Sequence, residues 1–529
     1  MLVALALLTQ GCTCNSRLSA RAGDSPAVVV VDPEEASRPK PVAEEEPNNQ
    51  RPQAQALVEG TAVEGALGGG SGKPDVDWYR LQVTSEQVLT VTLSGVPDAD
   101  LSLEAFDDQE RRLVRVNNSR EGGGEVLVNL GVRSATYHFR VKAVKGKTGT
   151  GRYRIGYALR QREEGEEVEP NWKAALATAL TLDEEATGYL GWQTDTDWYR
   201  VELKEVPDGA RLRVEFDGLD HVRAGVSIHG PDGRVIQERW SQRSESVVLP
   251  NLAIPAPGGQ VFVVVRCRQD VNVETRYSLR LLTEVPSGPT EVEPNDLPKQ
   301  ATVLEADGRT AIAGKLAEAA DRDLYAIRVT KAQAVRVEVV PPLGVDVALA
   351  QVDGEGKTVW EVDEGKPRER EILPAVWIQP PAGLVQVRAP RRDAVSAVTP
   401  YHIKALALGD GPWEREPNDG PQSATSWGGM QRSIQGFLHP DRDVDYYRMA
   451  PVKGLVVTAK PASGQQLKLE LLLPQGGSVS SASSSAPGAE VKVEARGTRP
   501  LEYVLRVTGQ STASERGYTL THEVIGEDP

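Results

Sequence analysis

Glu291-Val292-Glu293-Pro294-Asn295-Asp296 is the stretch that decides the fold, because the chain writes it four times. The other copies are Glu44-Glu45-Glu46-Pro47-Asn48-Asn49, Glu167-Val168-Glu169-Pro170-Asn171-Trp172 and Glu414-Arg415-Glu416-Pro417-Asn418-Asp419. Their prolines stand at 47, 170, 294 and 417, in steps of 123, 124 and 123 residues. A second signature keeps the same beat: Asp75-Val76-Asp77-Trp78-Tyr79, Asp195-Thr196-Asp197-Trp198-Tyr199, Asp321-Arg322-Asp323-Leu324-Tyr325 and Asp443-Val444-Asp445-Tyr446-Tyr447. A third closes each repeat: Tyr153-Arg154-Ile155, Tyr277-Ser278-Leu279, Tyr401-His402-Ile403 and Tyr518-Thr519-Leu520. The period is too long for a solenoid unit and is the size of an independent domain.

Working outward, each repeat alternates apolar and polar residues at period two. Tyr79, Leu81 and Val83 fall on one face and Arg80 and Gln82 on the other, the mark of a half-buried strand. In the first repeat, 88–93, 101–106, 125–130, 137–144 and 153–159 read the same way, with turn residues between them. Pro231-Asp232-Gly233 is a hairpin signal. Short strands at regular spacing predict an all-β protein of four tandem antiparallel, jelly-roll-like β-sandwiches. The expected domains are 43–160, 161–284, 285–409 and 410–529. Short helices are expected only at 172–179 and near 298–301, and the serine-rich run 478–485 reads as a flexible loop.

The chain has 75 acidic and 60 basic side chains, a net charge of −15. No basic patch stands out to neutralise phosphates, which argues against a nucleic-acid partner. Three cysteines (Cys12, Cys14, Cys267) are too few for a disulfide framework or a structural zinc site. Cys267 ends an apolar strand-like run, where a buried thiol is expected. Leu2 to Leu8 is too short to span a bilayer but suits the apolar core of a secretory signal. Gly11-Cys12 resembles a bacterial lipobox, which predicts a signal peptide over 1–11, acylation of Cys12 and a lipid-anchored flexible tether over 12–42. Thr9 where leucine is usual, and no Lys or Arg before the apolar run, depart from that pattern. A start upstream of Met1 and an ordinary cleaved signal are the alternatives. The expected location is the outer membrane, facing periplasm or cell surface, held by the lipid alone.

Glu-Pro-Asn-Asp, a spacer, Asp-x-Asp-x-Tyr and a closing Tyr-x-Leu resemble the bacterial pre-peptidase C-terminal (PPC) domain. The resemblance spans about residues 43–526 and is more specific for fold than for function. It implies a β-sandwich accessory module, related to the collagen-binding domains of clostridial collagenases, which bind calcium through an acidic linker and an Asp-x-Asp pair.

The residues themselves point the same way. In an extended segment alternate side chains share a side, so Glu291 with Glu293, and Asp321 with Asp323, each present paired carboxylates. If the segments meet, the cluster is repulsive without a cation or proton. Calcium takes six to eight oxygens and suits it. The third repeat offers Glu291, Glu293, Asn295, Asp296, Asp321 and Asp323, and the fourth Glu414, Glu416, Asn418, Asp419, Asp443 and Asp445. The first has Asn49 in place of the last linker acid and ranks lower. The second has Trp172, which offers no oxygen, and ranks last. The competing reading makes the same residues turn and strand hardware.

No catalytic constellation emerges: the six histidines form no His-Glu-x-x-His, and Gly-x-Ser-x-Gly does not occur. The expected protein is a non-enzymatic envelope lipoprotein that binds or scaffolds protein or polysaccharide. The alternative is an accessory subunit of a secreted protease or other hydrolase system. Trp240, Trp360, Trp377, Trp413 and Trp427, outside the strand after Asp-x-Asp, are candidate ligand contacts or sandwich caps.

Overall fold

The computed structural model describes residues 40–68, 75–146, 151–255, 258–365, 368–392, 394–509 and 516–525. Cys12, the signal segment and the tether up to residue 39 lie outside them. The described chain is all-β, with three short 3-10 turns, Arg51–Gln53, Ala174–Leu176 and Pro298–Gln300, and no α-helix. Two of these turns fall where short helices are expected. None of the described residues forms a helix long and apolar enough to cross a membrane.

Strands between Val42 and Arg160 form two five-stranded sheets. Those between Thr178 and Glu284, and again between Thr302 and Gly409, form a four-stranded and a five-stranded sheet. The alternation works as read: along Val76–Val83 the buried residues are Asp77, Tyr79, Leu81 and Val83. Each group closes over its own apolar core, for example Leu81, Leu103, Phe139 and Ile155 in the first. In the first three groups the Asp-x-Asp strand and the closing-Tyr strand belong to different sheets, so Tyr79 and Tyr153 meet across the core.

The fourth group, Thr425 to Val524, is one seven-stranded sheet. Val444–Lys460 and Val491–Gly509 are long strands that stay paired through register shifts near Val452. In the third group the equivalent path is cut into Arg322–Arg328 and Gln333–Val340. The serine-rich run is not a loop. Ser478–Ser483 is an edge strand paired with Leu467–Leu472. Ladder bonds do not depend on side-chain type, and at an edge small polar side chains cost little.

Candidate metal centres at the repeat entrances

Each Glu-x-Glu-Pro-Asn segment enters its repeat extended, with a cis peptide bond before Pro47, Pro170, Pro294 and Pro417. In the third repeat Glu291, Glu293, Asn295 and Asp323 are fully buried. Glu291 Oε1 accepts the Lys315 amide at 2.7 Å and Asn251 Nδ2 at 2.9 Å. Tyr401 donates to Asp323 Oδ2 at 2.5 Å, and the Tyr325 and Tyr401 hydroxyls stand 2.7 Å apart. The Asn295 amide donates to Glu293 Oε2 at 3.0 Å. These donors occupy one side of the cluster. Glu293 Oε1, Asn295 Oδ1 and Asp323 Oδ1 are buried with no hydrogen-bond partner.

The arrangement recurs. Ligand atoms of Glu44, Glu46 and Asp77, of Glu167, Glu169 and Asp197, of Glu291, Glu293 and Asp323, and of Glu414, Glu416 and Asp445 lie within 4.8 Å of one another in each set. Asp77, Glu169, Asp197, Glu416 and Asp445 each leave one carboxylate oxygen buried and unpartnered, as do the side-chain oxygens of Asn48, Asn171 and Asn418. A buried polar atom without a partner costs about 1–3 kcal/mol. Acceptor-only oxygens turned toward one another fit a hard cation. The four clusters can therefore hold a metal ion.

Burial drives the electrostatics. Desolvation pushes Glu291 up to about 7, against the pull of its bond from Asn251. Desolvation, then the charge of Asp321, pushes Glu293 up to about 9. Desolvation likewise takes Glu416 to about 7, and Asp77 and Asp443 to about 8. Glu167, Glu169, Asp197, Asp323, Glu414 and Asp445 are raised well above the carboxylate range, burial again first.

Not every predicted ligand joins a cluster. Asp321 and Asp443 each cap a turn with one oxygen, while Asp321 Oδ1 stays buried without a partner. Asp321 Oδ2 accepts the Ala317 amide at 2.6 Å and Asp443 Oδ2 the His439 amide at 2.8 Å. Asp195 does the same for Gly191. Asp296 accepts the Arg322 amide at 3.2 Å and stands outside its triad, as Asn49 does by accepting Val76. Asp419 is likewise absent from the fourth triad. In the first and third repeats the last linker position thus caps backbone. Trp172, more than half exposed beside Lys173, removes nothing from the second triad, whose three acids are all buried. The second site, ranked last on that tryptophan, has the same triad as the others. The first is the most open, with Glu46 exposed.

Four kinds of residue escaped the sequence reading. Gly65, Gly188, Gly314 and Gly436 lie against the tyrosine pair and the first glutamate, where a Cβ would overlap them. The closing tyrosine of each pair, legible as core, is also the donor to the inward aspartate. Asn129 and Asn251 belong to the preceding repeat, yet donate to Glu167 Oε1 at 2.7 Å and to Glu291 Oε1 at 2.9 Å. Both sit at a bulge with φ of 61° and 52°, a conformation asparagine tolerates. The equivalent bulge residue in the third repeat is Ala375, which packs with Ala334 and Phe437 instead. Arg239, also from the preceding repeat and nearly buried, donates to Asp321 Oδ2 at 2.8 Å. The repeated signatures were the available signal for the glycines; nothing in the sequence marked Asn129, Asn251 or Arg239.

The tryptophans separate too. Trp360 and Trp427 are buried in cores. Trp240 lies under Arg223, Arg266 and Arg268. Trp377 and Trp413 line a cleft where the third and fourth repeats meet. Cys267 is buried, its thiol pushed up by desolvation.

No family model matches the chain, and no curated protein matches it. Among solved structures it is similar to the CUB1-EGF-CUB2 domain of human MASP-1/3, at 7% identity over 39% of this chain and 93% of that one, TM-score 0.14. It is similar to a putative secreted protein from Eubacterium rectale at 12% identity, over 43% of this chain and 74% of that one, TM-score 0.15. The BSP domain of a biofilm associated protein matches at 9% identity over 88% of this chain and 96% of that one, TM-score 0.14. At these scores none of the three assigns a fold or a function to the chain.

Proposed function

We propose that the protein is an exported, lipid-anchored, non-enzymatic module of the cell envelope that binds or scaffolds protein or polysaccharide, with calcium stiffening its four repeats. The observation that carries the metal reading is the fourfold recurrence of an acidic triad, fully buried in the second and third repeats, with buried oxygens that lack donors in every copy. The residues that would hold calcium are Glu44, Glu46 and Asp77; Glu167, Glu169 and Asp197; Glu291, Glu293 and Asp323; and Glu414, Glu416 and Asp445. Asn48, Asn171, Asn295 and Asn418 would add an oxygen each.

We read each repeat as a jelly-roll-like β-sandwich of the PPC kind. The support is that the long ladders are antiparallel and parallel pairing is confined to segments of two or three residues. A continuous solenoid stacks successive turns on their neighbours along the chain; here each core draws almost wholly on one repeat. Four weak modules on one tether gain through effective concentration, a physical reason to repeat them. The non-enzymatic reading draws on the one close Ser–His contact among the described residues. Ser227 Oγ lies 2.8 Å from His229 Nε2, but both are buried and the other ring nitrogen faces a backbone carbonyl, Gly233 O.

Calcium titration of the chelator-stripped chain by calorimetry tests the metal reading. About four equivalents per chain are expected, with one lost in Asp323→Ala and one in Asp445→Ala. No heat from calcium, or a stoichiometry in both variants unchanged from that of the parent chain, removes calcium from the proposal. Detergent-phase partition of the native chain, lost in Cys12→Ser, tests the anchor.

A further inference from the structure

Where the third and fourth repeats meet, a cleft of about 750 Å³ opens between Trp377 and the segment 423–433. It borders the fourth acidic cluster through Arg415, which stands between Glu414 and Glu416, and through Thr425, whose hydroxyl accepts the Arg415 amide at 3.1 Å. Arg415 lays its guanidinium over the Trp377 ring, 4.5 Å from the centroid. Arg432 stands on another wall. Both side chains are exposed, and neither has a carboxylate partner among the described residues. Asp410, on the rim, is engaged by Lys331 at 3.0 Å. Two unpaired cations facing one cleft are a departure in a chain of net charge −15.

The remaining walls are polar and aromatic. Ser426, Gln431 and Ser433 line the cleft, and no hydrogen bond engages their side chains among the described residues. Trp413 stacks on Phe437 at 6.1 Å, which fixes its ring, and its indole N–H is buried with no acceptor. A guanidinium held over an indole keeps its fork ordered for a carboxylate. Indoles and hydroxyls beside it suit a pyranose ring with its own hydroxyls. A peptide would be expected to add as a strand, but the edge of Ser433–Gly436 is taken by the chain itself. Trp413 pairs with Gln435, and the Gln435 amide donates to Pro412 O at 2.7 Å.

We propose that this cleft binds an acidic polysaccharide through its uronate carboxylates, with Arg415 and Arg432 as the anion contacts and Trp377 and Trp413 as the sugar platform. The inference rests on the reading of the chain as a binding module. The test follows indole fluorescence and calorimetry of the full chain with a galacturonate trimer, a neutral galactose trimer and a triglutamate peptide. The acidic trimer is expected to bind in the millimolar range or tighter, at least roughly tenfold better than either comparison compound. Arg415→Gln/Arg432→Gln is expected to weaken it by roughly tenfold or more with an unchanged unfolding midpoint, since both side chains are exposed. Absence of binding up to about 10 mM, equal affinity for the neutral trimer or the peptide, or an unaffected double variant overturns the proposal. Any of these with the calcium stoichiometry intact removes the cleft and leaves the metal-stiffened module standing.

Discussion

Removing calcium should make this protein sensitive to alkaline rather than acid pH, and the third repeat shows why. Glu291 is held at about 7 where an unburied glutamate sits at 4.5. Its folded pKa is raised, so between those values the native state binds the proton that the unfolded state has released. Stability therefore falls as pH rises through this window. Above it the cost of Glu291 alone is on the order of 3 kcal/mol. For a unit of this size that lowers the unfolding midpoint by roughly 10 °C. Glu293, held at about 9, extends the window upward. Calcium binds the deprotonated carboxylates, so it competes with protons and its stabilisation grows with pH. Differential scanning calorimetry in chelator and in calcium, at pH 5, 6.5 and 8, measures this. In chelator the midpoints should drop from pH 5 to 8, and calcium should restore them at pH 8 and do little at pH 5. A chelated midpoint that is flat or rises over this range, or a calcium effect equal at both ends, would refute the reasoning.

Three further outcomes are expected. Gly314→Ala drives a Cβ into Tyr401 and Glu291 and should destabilise the third repeat by about 2–3 kcal/mol, whereas Gly354→Ala, with open space around it, should not shift the calorimetric midpoint. Asn251→Ala removes a buried donor from Glu291 across a repeat boundary. It should cost about 1–3 kcal/mol and broaden the interdomain distance distribution in solution scattering, while Ala375→Ser at the apolar third junction leaves that distribution unchanged. Glu169→Gln should remove one calcium equivalent in titration and Trp172→Ala none, because Trp172 stands outside the cluster.

Much of the site could be read from residue order. Period-two alternation along 76–83 puts Asp77 in phase with Tyr79 and Leu81, so an inward carboxylate at a strand entrance is a local consequence of strand geometry. The same holds for Asp197, Asp323 and Asp445. What spacing alone cannot separate is which acids join the cluster. Asp321 and Asp323 look equivalent in sequence, yet one caps the turn at Ala317 and the other faces Glu291 and Glu293. Equally, the residue after Asn looked like a ligand, but Asp296 is drawn to the Arg322 amide.

The sequence by itself determined the repeat, the strand phase and the acidic segments, because these depend on neighbours a few residues away. Only the tertiary structure decided how the copies differ. Asn129 reaches Glu167 and Asn251 reaches Glu291, while Ala375 cannot donate and an apolar contact with Phe437 takes its place. Arg239 meets Asp321 from 82 residues away. Such contacts are made by the packing of one repeat on the next, so no pattern within a single repeat records them.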